Sequence, residues 1–74
     1  MTACYTTGVE VTVNGSRRDV PDGVTVHALV ELLGLTDGPV AVEINRAVVP
    51  RALHTERRVA PGDVVEIVHF VGGG

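Results

Sequence analysis

The groups able to do chemistry in this chain are few and scattered. His27, His54 and His69 lie far apart, and none shares the short spacing with a second His or Cys that a metal site requires. Each reads as a satisfied or solvent-facing imidazole. The single cysteine, Cys4, precedes all patterned sequence, where nothing can hold a base or an orienting group beside it. One cysteine also excludes an intramolecular disulfide and any four-thiolate metal centre. Asp22, Asp37 and Asp63 each adjoin a glycine in a turn signal, where Asp is chosen for its local backbone hydrogen bonds. Glu10, Glu43 and Glu66 fall at strand positions that face solvent or a partner. Gly72-Gly73-Gly74 follows a strand pattern but precedes no helix, so it is no phosphate cradle. These residues assemble no catalytic site, and the chain reads as something acted upon.

The remaining reactive group is the α-carboxylate of Gly74. Gly72, Gly73 and Gly74 follow Phe70 and Val71 without a linker, so a flexible glycine tail leaves directly from a strand. Glycine lacks a side chain and can enter a narrow channel in conformations closed to other residues. Three to four extended residues reach about 10–14 Å, enough to place a carboxylate inside another protein's active site.

Composition agrees with a passive role. The 74 residues carry a net charge of −3, with six basic residues, all Arg, against nine acids. No basic stripe exists to grip phosphates, so no nucleic-acid partner is expected. No signal peptide is visible, and no stretch approaches the roughly 18 apolar residues of a membrane span. The expectation is a soluble, cytoplasmic chain in a reducing compartment, without a membrane partner. Sixteen residues are Val, while Tyr5 and Phe70 are the only aromatics, a composition that leans towards sheet.

The elements that must position the tail follow from periodicity. Residues 1–7 lack any pattern and read as a loose extension. Val9, Val11 and Val13 alternate with Glu10 and Thr12, and Asn14-Gly15 suits a two-residue type I′ turn into a returning strand over residues 16–20. After the turn Pro21-Asp22-Gly23, Thr25 caps a short helix. Its apolar stripe is Val26, Leu29, Val30 and Leu33, and Gly34 ends it. Val40, Val42 and Ile44 alternate with Ala41, Glu43 and Asn45; Asn45-Arg46 then turns the chain into residues 47–49, which Pro50 closes. Residues 51–59 are irregular, with at most one helical turn. Residues 64–70 are apolar on both faces, as expected of a central strand covered by the helix. One helix crossing a mixed sheet of four or five strands gives an α+β, β-grasp (ubiquitin-like) fold, with a right-handed crossover through the helix. The domain spans residues 8–71, with residues 72–74 as its tail.

With that tail on that fold, the sequence resembles the ThiS family of sulfur carriers. The resemblance rests on Val13-Asn14-Gly15, Pro21-Asp22-Gly23, residues 29–35 and 40–45, Val48-Val49-Pro50-Arg51, residues 62–68 and Val71-Gly72-Gly73-Gly74. Val-Pro-Arg together with the Gly-Asp-turned last strand is closer to ThiS than to the molybdopterin counterpart MoaD. The resemblance implies a protein co-substrate, not an enzyme. A ThiF/MoeB-type enzyme adenylates the Gly74 carboxylate, and sulfur from a cysteine desulfurase or rhodanese-type protein converts it to a thiocarboxylate. Thiazole synthase (ThiG) then takes the sulfur for thiamine. On the same resemblance ATP and any zinc would belong to the adenylating partner, and this chain is expected to bind no cofactor itself. Phe70 and Val71 are candidates to anchor the tail root on a partner, with the core as the other place for Phe70. Arg51, Arg57 and Arg58 are candidates to pair with a partner's acids, a solvated face being their other reading. Related carriers serve molybdopterin, cysteine, thio-tRNA and secondary-metabolite pathways, and ubiquitin-like modifiers use the same activation; a plain binding module with an idle tail is the remaining reading. Residues 1–7 are not typical of the family, and Ala52-Leu53-His54 stands where the family often has an aromatic.

Overall fold

A computed structural model describes residues 8–70. The expected loose extension with Cys4, and the tail root and tail Val71, Gly72, Gly73 and Gly74, lie outside the described residues. The first hairpin pairs β1 (Gly8–Val13) with β2 (Ser16–Pro21), from Val13 opposite Ser16 to Gly8 opposite Pro21. Its turn needs two left-handed residues, and Asn14 and Gly15 supply them at φ 51° and 85°. A second hairpin joins β3 (Val40–Ile44) to β4 (Ala47–Val49) through Asn45 and Arg46, at φ 52° and 72°. β5 (Val64–His69) then runs parallel to β1 and antiparallel to β3, giving the order β2-β1-β5-β3-β4. Of the four or five strands expected, five are present, and the last strand in sequence is the middle one in space.

The helix α1 (Val26–Leu32) is set at both ends by local chemistry. The Thr25 hydroxyl accepts the Ala28 N–H at 3.1 Å, which satisfies one of the unpaired donors of the first turn. At the other end Gly34 sits at φ 74°, its N–H donating to Glu31 O and that of Leu35 to Val30 O. That pair of bonds is a Schellman stop. Val26 and Leu29 are fully buried and Val30 nearly so. They pack with Val11, Val20, Val42, Ile44, Val65 and Ile67 in one core. Truncating Leu29 at such a site costs about 2–5 kcal/mol.

Residues 51–59 are less loose than their sequence suggests. Pro50 leads into a single 3₁₀ turn, Arg51–Leu53, and the segment then crosses the start of α1. The Val26 and His27 N–H groups donate to the carbonyls of Arg57 and His54, and Val59 is buried. Asp63 is buried as well: its carboxylate accepts from Ala60 N–H at 2.8 Å and from Asn45 Nδ2 at 3.1 Å. One helix above a five-stranded mixed sheet, with β1 parallel to β5, is the β-grasp arrangement.

One expectation needs correcting. The apolar residues on both faces of β5 read in the sequence as a central strand covered by the helix, and β5 is central, but the helix accounts for only one of its two apolar faces. α1 covers one face only, burying Val65 and Ile67. Val64 and Val68 stay 46% and 55% exposed on the other.

Candidate functional site

The end of β5 is where the chain is handed on to Val71 and the glycines. His69 pairs with Val40, and the Phe70 N–H extends the ladder by donating to Pro39 O at 3.0 Å. The chain is thus tied to the sheet up to its last described residue. Phe70 is 55% exposed and is no core residue, which leaves it available at the tail root.

Phe70 shares its face with Val68, Glu66 and Val64, because alternate residues of a strand point the same way. Across from them on β3, Ala41 stands opposite Val68 and Glu43 opposite Glu66; Val48 of β4 stands opposite Glu43. Val48 is 69% exposed. The uncovered side of the sheet is therefore an apolar patch holding two directly opposed glutamates. Neither feature stabilises the isolated chain: like charges directly opposite disfavour the pairing, and bare valines gain nothing in water. Both are suited to a surface that another protein covers. Sequence reasoning missed Val48, Val64 and Val68, although the signal was present as apolar residues at alternate positions of β5 with no second helix to cover them.

The three candidate arginines do not come together. Arg51 lines a groove of about 310 Å³ with His27, Val30, Leu35, Pro39 and Thr55, on the flank of the loop that holds Phe70. Arg57 donates through Nη1 to the Arg58 carbonyl and lines a smaller groove with Val48 and Leu53. Arg58 donates to Gly23 O at 2.9 Å, beside the start of α1. Arg51 shares its groove with Pro39, the residue that ties down Phe70.

The histidines divide. His54 is buried with Nε2 3.1 Å from Val49 O, a satisfied core residue. His27 is exposed, with Nε2 3.4 Å from Glu31 one turn along α1. His69 fits neither expectation: its Nε2 is buried and has no hydrogen-bond partner among the described residues. Among the described residues no group of three or more His, Cys, Asp or Glu gathers as a metal site. No helix among them is long and apolar enough to cross a membrane.

Comparison with known proteins bears directly on this arrangement. Residues 10–74 match the ThiS family. The sulfur carrier protein ThiS of Bacillus subtilis is 38% identical over 53 residues, 72% of this chain and 80% of that protein. A crystal structure of a thiamine biosynthesis protein (ThiS) from Geobacter metallireducens superposes with a TM-score of 0.75 at 33% identity, covering 89% of this chain and all of that one. The thiazole synthase of Paramagnetospirillum magneticum is 39% identical over 66 residues, but this chain spans only 20% of that enzyme's length. With the family's sequence running from β1 through the glycines and the family's fold beneath it, the chain belongs to the ThiS family.

Proposed function

We propose that the chain carries sulfur for the thiazole ring of thiamine, as a thiocarboxylate on Gly74. A carboxylate is a poor electrophile until one oxygen becomes part of a leaving group. In the proposed cycle the Gly74 carboxylate attacks the α-phosphorus of ATP on a ThiF/MoeB-type enzyme, and pyrophosphate leaves. The terminal sulfur of a persulfide on a cysteine desulfurase or rhodanese-type donor attacks the acyl carbon and expels AMP. A thiol then cleaves the resulting S–S bond, leaving the thiocarboxylate. ATP and any metal ion are handled by the enzyme partner; this chain supplies the body that docks and the glycines that enter.

The observation that carries the choice of acceptor is the match, over 89% of this chain, to a segment of thiazole synthases in two bacteria, Paramagnetospirillum magneticum and Magnetococcus marinus. A carrier domain joined covalently to its acceptor raises the local concentration of the sulfur donor, which supports a working pairing between the two. The uncovered face of β5, with Val64, Val68 and Phe70 beside the tail root, suits docking on such a partner. A single-turnover transfer tests the acceptor. The thiocarboxylated chain is mixed with thiazole synthase, deoxyxylulose phosphate and a glycine imine, and sulfur should leave the chain as thiazole forms. A chain that keeps its sulfur beside a synthase active with another carrier serves a different pathway.

A further inference from the structure

The loop between α1 and β3 approaches the tail root more closely than any side chain would permit. A Cβ on Gly38 would lie 2.5 Å from the Phe70 carbonyl oxygen and 3.7 Å from its carbonyl carbon. The first distance is far inside van der Waals contact, and both atoms are backbone. We propose that Gly38 is a positioning residue for the carrier reaction: its bare Cα leaves the space that fixes the direction in which the chain leaves Phe70. The proposal rests on the carrier reading above and adds to it the residue that aims the tail.

Three restraints explain why a side chain at position 38 would act on Phe70 and not elsewhere. Phe70 N–H is held by Pro39 O at 3.0 Å, and His69 is paired with Val40, so the strand cannot slide away. Pro39 has its φ locked by the ring and restricts the conformation of the residue before it, so the loop cannot easily retreat. The free coordinate is the rotation of the Phe70–Val71 peptide plane, which carries the offending oxygen. That plane also carries the nitrogen of Val71, so turning it redirects the following chain. A turn of about 20° at the root moves the end of four extended residues by about 4–5 Å. Glycines absorb part of such an error, at the cost of populating the productive pose less often. The docking face keeps its side chains: Val64, Glu66 and Val68 lie earlier in β5, and the Phe70 side chain branches from its Cα, before the rotated plane.

The test uses the full chain with Gly38→Ala. ATP–pyrophosphate exchange is followed on an adenylating enzyme with the chain as varied substrate. The expected result is a kcat lower by about tenfold with KM within about twofold, since the body docks normally and the carboxylate arrives badly placed. The carbonyl and amide resonances of Phe70 and Val71 should shift while those of Leu29 and Ile67 stay. The double variant Gly38→Ala/Pro39→Gly, which lets the loop yield, should recover at least half of the lost rate. A variant that unfolds, an unchanged kcat, unshifted Phe70 resonances or a double variant without recovery would each overturn the proposal. A wild-type chain left unadenylated by an active enzyme counts instead against the carrier reading, and the resonance shifts still decide the role of Gly38.

Discussion

The Asn14 side chain holds the backbone of Ile67 from both sides: its Oδ1 accepts the Ile67 N–H at 2.8 Å, and its Nδ2 donates to the Ile67 carbonyl at 3.1 Å. Asn14 belongs to the β1–β2 turn, yet its amide extends the parallel pairing of β1 with β5 beyond the point where the main chain of β1 has turned away. The same residue must also adopt φ 51°, which Asn tolerates better than most. One side chain therefore satisfies a local turn and a long-range ladder, three residues before Phe70 at the tail root. Replacing it with Gly keeps the turn and removes the ladder. The expected loss is about 1–3 kcal/mol by urea denaturation, with faster hydrogen exchange at the Ile67 amide than in wild type.

Arg46 illustrates the opposite situation. It occupies φ 72° in the β3–β4 turn, and no side-chain hydrogen bond from Arg46 compensates among the described residues. Arg46→Gly should raise stability by about 1 kcal/mol, seen as a higher thermal midpoint with the same activation rate. A drop in midpoint would show that the arginine makes contacts worth more than its backbone strain.

Asp63 closes the turn into β5. Its carboxylate accepts from Ala60 N–H and from Asn45 Nδ2, while Asn45 Oδ1 accepts the Val64 N–H at 2.9 Å. Asp63→Ala leaves both donors short of a partner and should cost about 1–3 kcal/mol. The measurement is a denaturation curve, with Asp63→Asn retaining part of the loss because its amide oxygen still accepts.

These polar links explain what was and was not legible in the sequence. The turn at Asn14-Gly15, the Thr25 cap, the helix stripe and the Gly34 stop depend on neighbours within four or five residues, so spacing alone revealed them. The hold of Asn14 on Ile67 spans 53 positions, and nothing in the turn signal distinguishes an asparagine that only turns from one that also reaches another strand. His54 reads along the chain as part of an irregular segment for the same reason: its hydrogen bonds to Val49 O and from His27 N–H of α1 join groups that only the tertiary fold brings near. The arginines at 51, 57 and 58 look like one cluster when read along the chain. A 3₁₀ turn and the crossing of α1 point them to three places. The glycine at 38 looked like an ordinary turn residue, because its constraint is an atom of Phe70, far along the chain.

The uncovered sheet face separates folding from partnership. Val68→Asp places a charge on a residue that is 55% exposed, so the thermal midpoint should fall only slightly, by an amount worth about 0.5–1 kcal/mol. Adenylation should fall by more than tenfold, mainly through KM, if this face docks the activating enzyme. Equal KM values for wild type and variant would move the docking surface elsewhere.

Whether Gly74 carries the sulfur is read from the intact mass of the chain. The chain is incubated with ATP, a persulfide sulfur donor and a ThiF/MoeB-type enzyme known to be active on another carrier, and the product is fragmented to locate the change. The expected result is one exchange of oxygen for sulfur, confined to Gly74 and absent without ATP. An unchanged mass, or sulfur found on Cys4 with Gly74 unmodified, would contradict it.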